Sequence, residues 1–314
     1  AFNTLVKPDD VPAAGRLIAR LARDVKPHGL IIQDPGVLAL ARQAGYEGGL
    51  FLSTLANLTH PASLLAAKEL GADRVILPRE LSIDEVKQIS AACPEGLDLE
   101  MFIHGALCMS YSGQCLMSSM LGGRSGNRGA CAQPCRLPYI LLENGREITK
   151  AMPLLSPKDL CLARRLAEVR ECGADSLKIE GRMKSPEYVG MVTRVYRAAL
   201  DGDASESDVE DMLRFFSRGG SSSGYFDGKK YRAMMDYGTG AKISAGRDLE
   251  KKIQNESRGE ERQSPVEMEF AARVGEPLYL DVVTALAGSK FGSVPVIGGR
   301  YGLGSKDTPP ASIF

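Results

Sequence analysis

The residues of this chain best suited to chemistry are a group of cysteines. The chain has seven, and four of them lie within 28 residues: Cys108, Cys115, Cys131 and Cys135. Four thiolates can ligate either structural zinc or an iron–sulfur cluster. Zinc modules usually carry Cys-x2-Cys hairpins, which are absent from this spacing. The spacing therefore favours an iron–sulfur cluster, with zinc as the alternative and uncoordinated thiols as a third interpretation.

The segment that carries these cysteines is rich in glycine. The stretches "SGQC" and "GGRSGNRGAC" allow the backbone to fold closely around a compact inorganic centre. The remaining cysteines lie in or beside helical patterns, where a small buried apolar role is more common: Cys93, Cys161 and Cys172. Of these, Cys161 in "SPKDLC" is the reserve candidate for a metal ligand.

Composition and charge limit the class of protein. The 314 residues include 39 basic and 39 acidic side chains, which is typical of a globular chain of one large or two smaller domains. No apolar run reaches the ~18 residues of a membrane span, and "AFNTLVKPDD" does not resemble a signal peptide. We expect a cytoplasmic protein with reduced cysteines and no membrane contact. Because the first residue is alanine, we also expect a fragment or a processed product.

Short apolar runs alternate with amphipathic segments through the first part of the chain. Strands are predicted at 1–6, 29–34, 49–54, 73–80, 97–106 and 175–181, and helices at 11–25, 35–45, 61–72 and 82–93. Apolar strands alternating with helices indicate a parallel sheet covered on both faces. The repeat of about 20 to 28 residues favours a TIM-like (β/α) barrel over an open doubly wound sheet. Because such a barrel has eight strands, we expect that its first two are missing from this chain.

The chain divides by pattern into four parts. They are a partial (β/α) barrel at 1–200 with a cysteine loop at 105–139, a helical extension at 201–245, a charged linker at 246–263, and the start of a β-rich domain at 264–314. The linker has ten charged residues in eighteen. After it, apolar and polar residues alternate between glycine turns, which indicates a small antiparallel β-unit.

Polar residues end each predicted strand of the barrel. The carboxyl ends of barrel strands meet at one mouth, so we expect the active site there. His104 ends the fifth strand, and alternation places Lys178, Glu180 and Arg182 on one face of the sixth. These four are the candidate catalytic residues. Two structural alternatives remain: His104 bonded to a backbone carbonyl, and an ion pair between Lys178 and Glu180.

The cysteine loop also carries a cluster of positive charge. The segment from Leu121 to Leu137 contains Arg124, Arg128 and Arg136 and no acidic residue. The planar guanidinium can donate two parallel hydrogen bonds to phosphate or carboxylate. We therefore take these arginines as candidate substrate-binding residues for RNA or a carboxylate. Two alternatives remain for these arginines: they form a solvated face of the loop, or they neutralise the charge of a thiolate-bound cluster.

Three long motifs resemble the peptidase U32 family, also called collagenase-like peptidases. They are "EMFIHGALCMSYSGQCLMSSMLGGRSGNRGACAQPCRLPY" at 100–139, "LLSPKDLC" at 154–161 and "DSLKIEGRMKSPEYV" at 175–189. The similarity runs from the first residue to about residue 240. The resemblance implies an iron–sulfur cluster, expected to be 4Fe-4S, held at the positions of Cys108, Cys115, Cys131 and Cys135.

The family resemblance also implies an activity. Members include hydroxylases of a 23S ribosomal RNA cytidine and of the tRNA wobble uridine, both linked to prephenate, and relatives that hydroxylate a ubiquinone precursor. The β-unit after the barrel resembles the longer branch that contains the 23S rRNA cytidine hydroxylase, although "GGRYGLGSKDTPPASIF" departs from that pattern. We therefore expect an RNA base hydroxylase, with RNA and prephenate as its partners and no obligate protein partner.

Proteolysis and simple RNA binding remain as rival functions. The three histidines lie singly, without the H-E-x-x-H spacing of a zinc protease, and "GSSSG" at 220–224 follows no predicted strand. A cysteine nucleophile paired with His104 is conceivable, but the cysteines nearest to it in sequence are assigned to the metal. In the second rival, a noncatalytic RNA-binding or assembly protein, the metal only holds the loop.

Overall fold

Strands and helices alternate along the described chain, which in this computed structural model comprises residues 1–181, 184–216, 220–228, 232–236, 278–282 and 297–301. The strands are β1 (Gly29–Ile32), β2 (Gly49–Leu52), β3 (Arg74–Ile76), β4 (Asp98–Gly105), β5 (Leu142–Glu143), β6 (Arg146–Glu147), β7 (Asp159–Cys161), β8 (Ser176–Ile179), β9 (Ser221–Ser222), β10 (Leu278–Val282) and β11 (Ile297–Tyr301). The helices are α1 (Val11–Arg20), α2 (Gly36–Gln43), α3 (Pro61–Glu69), α4 (Ile83–Ala91), α5 (Met117–Gly122), α6 (Leu166–Arg170), α7 (Pro186–Asp201) and α8 (Glu206–Phe216).

The main sheet is organised around β4. Strands β1 to β4 pair in sequence order and in parallel, and β8 pairs in parallel with β4. Strand β7 pairs antiparallel with the last residues of β4, and β9 pairs with β7. The carboxyl ends of the five parallel strands therefore lie along one edge, which we call the C-terminal edge.

The two faces of this sheet differ in chemistry. One face is apolar and buried, and it forms the core with apolar residues of the helices: Leu30, Ile32, Leu50, Leu52, Val75, Leu99, Met101 and Ile103. The other face, here called the polar face, carries Phe51, Arg74, Glu100, Phe102 and Lys178 in matching register. Alternation along each strand separates the two sets, because successive side chains point to opposite faces.

A local sequence signal fixes the start of α4. At α4, the Ser82 side chain accepts from the Glu85 amide, while Glu85 accepts from the Ser82 amide at 2.7 Å. This reciprocal capping satisfies amides that otherwise lack a helical partner.

The predicted α/β class with a parallel sheet is confirmed. The predicted strand at 1–6 is wrong in extent, because this segment forms only an isolated bridge between Phe2 and Ile32. Its later amides bond elsewhere: Leu5 donates to the Asn127 carbonyl at 3.3 Å and Val6 to Asp34 at 3.1 Å. The strands in the described ranges form an open path, so the closed TIM-like barrel stays a prediction.

The chain separates into two compact units. The first comprises Ala1–Glu180 and Ala199–Ile243, and it contains the main sheet. The second comprises Gly181–Ala198 and Ser244–Phe314, with most of α7 and the antiparallel pair β10–β11. The predicted linker at 246–263 lies outside the described residues, and the four predicted domain boundaries stay predictions. In the ranges that are described, no helix combines the length and apolar character needed to cross a membrane.

Candidate functional site

The cysteine loop starts directly after β4, at the C-terminal edge of the sheet. Its first turn, between Cys108 and Cys115, is anchored by Ser112, whose amide and hydroxyl donate to Glu80 at 2.8 and 3.0 Å. Gly113 has a φ of +72° and lies against Leu55, where a Cβ would come within 2.1 Å of the carbonyl oxygen. Only glycine fits this approach, so the turn is fixed on the segments that follow β2 and β3.

The second cysteine turn folds back on the first. The Ala132 amide donates to the Ser118 hydroxyl at 2.9 Å, which ties this turn to α5. Gly126 lies between the two turns: a Cβ there would be 3.6 Å from the Cβ of Cys131 and 3.9 Å from the Cys115 carbonyl oxygen. The missing side chain at Gly126 leaves a small space beside both cysteines.

The four thiols lie close enough to influence one another. Burial raises the pKa of the Cys108 thiol, and the charges of Cys115 and Cys131 raise it further. Burial likewise raises the pKa of the Cys135 thiol, with added contributions from the other three cysteines. Negative charge on the neighbouring thiolates therefore disfavours ionisation of Cys108 and Cys135, a cost that a cation among them would remove.

Backbone amides point at two of these sulfurs. The Gln133 amide donates to the Cys131 sulfur at 3.3 Å, and a backbone hydrogen bond from Ser110 lowers the pKa of Cys108. Such amide donors stabilise thiolates and tune thiolate-bound metals. No three cysteine, histidine or carboxylate side chains within the described ranges are grouped around a single metal position. The donor set itself, four soft thiols with amide donors, fits a thiolate-ligated metal centre.

Two arginines bring positive charge to the thiols. Arg136 lowers the pKa of Cys135 and Arg79 lowers that of Cys108, in each case against the larger effect of burial. The Arg136 guanidinium donates to the Leu107 carbonyl at 2.6 Å and to the Ser156 hydroxyl at 2.7 Å. Arg136 therefore links the two ends of the cysteine loop to the segment before β7.

The other two loop arginines are also engaged within the chain. Arg124 donates to the Ala130 carbonyl at 3.1 Å, inside the loop. Arg128 donates to the Leu5 carbonyl at 3.1 Å and to the Asp10 carboxylate at 2.9 Å, which joins the loop to the N-terminal segment. The role predicted for Arg124, Arg128 and Arg136 in binding substrate stays a prediction.

Lys178 pairs with a residue that sequence reasoning missed. Its ammonium lies 2.6 Å from the Glu100 carboxylate on the neighbouring strand β4. Glu100 also accepts from Arg74 at 3.2 Å and from Ser176 at 3.0 Å, and only 8% of the residue is exposed. The alternating pattern of β4 could have placed Glu100 on the polar face, but its partners depend on strand register. Lys178 therefore pairs with Glu100, which differs from the Lys178–Glu180 ion pair considered above.

Glu180 lies one residue beyond β8 and pairs with Arg79. The two side chains are 3.6 Å apart, and the Arg79 guanidinium stacks over the Phe102 ring at 4.1 Å. Arg79 was not among the predicted site residues. Its position as a polar residue after β3 is the same signal, a polar strand end, that identified the others. Arg182 lies outside the described residues, so its predicted role stays a prediction.

His104 is buried near the end of β4 and faces Cys161 on β7. The antiparallel register places the two directly opposite each other. The neighbouring pair is hydrogen-bonded, because the Leu162 amide donates to the Ile103 carbonyl at 3.0 Å. His104 and Cys161 therefore form the closer, non-hydrogen-bonded type of pair. The cysteine beside His104 in space is the reserve ligand Cys161, a neighbour that the sequence did not reveal.

The remaining cysteines have structural surroundings. Cys172 is buried, and its thiol donates to the Val169 carbonyl at 2.9 Å. Burial raises the pKa of this thiol, as it does for Cys93, which donates to the Leu97 carbonyl at 3.2 Å. Cys172 agrees with the prediction of a small buried apolar role, whereas Cys93 is only half-buried.

Comparison with known proteins identifies the family. The model of peptidase family U32 matches residues 1–236. A 23S rRNA 5-hydroxycytidine synthase of Escherichia coli is 38% identical over 206 residues, which cover 65% of this chain and 31% of the relative. A tRNA hydroxylation protein of Bacillus subtilis is 37% identical over 192 residues, covering 59% and 45%.

Two further matches complete the comparison. A collagenase of Porphyromonas gingivalis is 33% identical over 271 residues, covering 79% of this chain and 64% of the relative. The chain spans about half the length of the curated relatives it matches, for example 45% and 54% of two of them. The solved structure of the U32 peptidase Mk0906 matches with a TM-score of 0.33 and 16% identity, over 55% of this chain and 62% of that one. Because the family model covers most of its length, this chain belongs to peptidase family U32.

Proposed function

We propose that this chain is the catalytic part of an iron–sulfur-dependent RNA hydroxylase that forms 5-hydroxycytidine in 23S rRNA. The observation that carries the proposal is the location of the four-thiol loop at the C-terminal edge of a parallel sheet, where ligands of α/β sheets bind. Relatives named for rRNA and tRNA hydroxylation, at 38% and 37% identity, support RNA as the substrate class.

Cys108, Cys115, Cys131 and Cys135 would hold the cluster, which we propose to be 4Fe-4S. When bound, such a cluster supplies electron transfer. The chain itself contributes positive charge beside it, since Arg79 lowers the pKa of Cys108 and Arg136 that of Cys135. Zinc is the alternative metal, and the metal content of anaerobically purified protein distinguishes the two.

The substrate base would enter the polar face at the C-terminal edge, inside a (β/α) barrel in the complete protein. Chemistry on a base inside a stacked helix is sterically blocked, so the pyrimidine must be unstacked or single-stranded. Phe102 is itself buried, and the Arg79 guanidinium stacks over its ring at this edge. The His104, Lys178 and Glu180 side chains are the candidate groups for holding or moving a proton there. Arg182, the fourth candidate catalytic residue, lies outside the described residues.

Anionic parts of the substrates require cationic partners. RNA phosphates, and the carboxylates of prephenate as the proposed hydroxyl donor, are both suited to arginine. Arg124, Arg128 and Arg136 stand on the cysteine loop and would provide them. Arg128 already pairs with Asp10, so RNA binding would exchange one anionic partner for another.

Two other functions have support of their own. Hydroxylation of a tRNA uridine is favoured by the relative from Bacillus subtilis, and proteolysis by the collagenase that matches 79% of this chain. Each predicts a different product from the same protein. A single complementation experiment with three readouts can therefore separate them.

The test is expression of the complete protein in a bacterium that lacks its own RNA hydroxylases. Mass spectrometry should find 5-hydroxycytidine restored in 23S rRNA, and the Cys108→Ser variant should fail while accumulating as folded protein. An unmodified cytidine with metal-loaded protein present refutes the rRNA assignment. A hydroxylated tRNA uridine would assign the protein to tRNA, and cleavage of denatured collagen would assign it to proteolysis.

A further inference from the structure

The side of the sheet formed by the N-terminal segment and β1 has an unusual row of neutral side chains. Phe2 bridges Ile32 in parallel, so the next residues, Asn3 and Gln33, are neighbours on adjacent segments of the chain. The register of β1 and β2 continues this row to Ser53, whose amide donates to the Ile32 carbonyl at 2.7 Å. Parallel neighbours lie about 4.8 Å apart, so Asn3, Gln33 and Ser53 form a line along the C-terminal edge.

This row belongs to the polar face. Leu30 and Ile32 point into the apolar core, and alternation turns Gln33 to the opposite side, the side that carries Phe51 and Arg74. It therefore lies on the same side of the sheet as Glu100 and Lys178.

The amide oxygens in this row lack partners. The Gln33 Oε1 and Asn3 Oδ1 atoms are buried and accept no hydrogen bond from the described part of the chain. Only 2% of Gln33 is exposed. A third orphan is the Oδ1 atom of Asn57, which follows β2 in left-handed backbone with a φ of 57°. A buried polar atom without a partner destabilises the protein, so two such amides side by side, with a third in the segment after β2, indicate a ligand that supplies the missing bonds.

The chemistry of the row selects among ligands. A carboxamide offers a carbonyl acceptor and an NH2 donor without charge. The Watson–Crick edge of a pyrimidine presents the same combination of neutral donors and acceptors, whereas a carboxylate or phosphate ligand is matched by arginine. The charged residues of the polar face lie farther along the sheet, on β3, β4 and β8. There the Glu100 carboxylate and the Lys178 ammonium are paired with each other.

We propose that Asn3 and Gln33, with Asn57, form an amide subsite that reads the hydrogen-bonding edge of the target pyrimidine. The identity of the ligand rests on the function proposed above, while the subsite itself rests on the orphaned amides. Its residues determine specificity by positioning the base, and they take no part in bond making or breaking.

The first test replaces the buried amide by an apolar side chain of similar length, Gln33→Met. Because this removes an unsatisfied polar atom, the thermal midpoint of the free protein should rise by roughly 2–4 °C. The matched control is Gln43→Met at the exposed end of α2, which should leave the midpoint unchanged. A fall in the midpoint for Gln33→Met would mean that the amide is a structural bonding partner, and the proposal would be overturned.

The second test measures ligand binding without catalysis. Cytidine and uridine 5′-monophosphate should raise the midpoint of the wild-type chain more than adenosine 5′-monophosphate does. Gln33→Met should lose this pyrimidine-dependent rise, and Gln43→Met should keep it. Equal stabilisation of wild type and Gln33→Met by pyrimidines, or no preference for pyrimidines in the wild type, would overturn the subsite.

The third test separates the subsite from the hydroxylase proposal. In the complete, metal-loaded protein, Gln33→Met should lower kcat/KM for RNA hydroxylation about 10- to 100-fold, the discrimination of one good bidentate contact. Unchanged kcat/KM in an active enzyme would overturn the subsite and leave the hydroxylase standing. A protein that binds pyrimidines through Gln33 but hydroxylates no RNA would overturn the hydroxylase and leave the subsite standing.

Discussion

The parallel sheet and the cysteine loop reach their structures by different means. In β4 nearly every residue is buried, and apolar side chains such as Leu99 and Ile103 hold the strand within the core. In the loop, Cys131 is exposed, as are the apolar side chains of Leu116 and Met120, and the chain is held by hydrogen bonds such as those of Ser112 and Arg136. The sheet therefore carries the stability of the first unit, while the loop depends on polar contacts and on what its thiols bind.

The largest difference between the loop and the sheet should appear when a loop thiol is removed. We predict that Cys131→Ser abolishes most of the iron and sulfide content of anaerobically purified protein, because a hydroxyl is a poor ligand for thiolate-bound iron. Far-ultraviolet circular dichroism should stay at the wild-type level, since the loop is outside the core. The same loss is expected at Cys108, Cys115 and Cys135.

Cys93→Ser is the matched control for the thiol variants. Its side chain bonds to the Leu97 carbonyl, away from the loop, so its iron and sulfide content should equal that of the wild type. If all four loop variants kept full iron and sulfide, the ligand assignment would be wrong.

A cavity in the core of the sheet should have the opposite effect, a loss of stability without a loss of iron. We predict that Leu99→Ala, at a position with 1% exposure, lowers the free energy of unfolding by about 2–5 kcal/mol. The iron content per folded molecule should be unchanged. Leu65→Ala, at 53% exposure on α3, should change stability little, and chemical denaturation measures both. Loss of iron in folded Leu99→Ala protein would contradict the separation of sheet and loop.

A smaller effect is expected where the loop is tied to the first unit. Arg136→Met leaves the Leu107 carbonyl and the Ser156 hydroxyl without this donor, at a cost of about 1–3 kcal/mol. We expect faster release of iron to a chelator, measured by absorbance, and Arg146→Met on the exposed β5–β6 hairpin as the unchanged control. Equal release rates for the two variants would mean that Arg136 does not hold the loop.

The smallest effect concerns the pair of Asp10 and Arg128. The hydrogen bond from Arg128 is the main cause that lowers the pKa of Asp10, so the pair stabilises the folded chain at neutral pH. Because the folded pKa is depressed, this contribution is lost only as the pH falls through and below the ordinary range of an aspartate. Asp10→Asn should remove the part of the acid-dependent loss of stability that this pair causes. Salt should reduce the same part in the wild type, because it screens the two charges. An identical acid transition in wild type and variant would show that the exposed pair contributes nothing.

The sequence alone determined the parts of the structure that depend on local pattern. The predicted strand at 29–34 is observed as β1 at Gly29–Ile32, and the predicted helix at 82–93 as α4 at Ile83–Ala91. Apolar periodicity and capping residues act within one segment, so they can be read without knowing the neighbours. The cysteine spacing likewise identified the loop that brings Cys135 within electrostatic range of the other three cysteines.

Tertiary structure alone decided which residues face each other. The sequence gives no means to place Glu100 beside Lys178, Cys161 opposite His104, or Asn3 beside Gln33. It also missed β7 and β9, because strands of two or three residues carry too little periodicity. These pairings depend on strand register, which is set by the packing of the whole sheet. A shift of a strand by one residue would turn its polar-face side chains into the core.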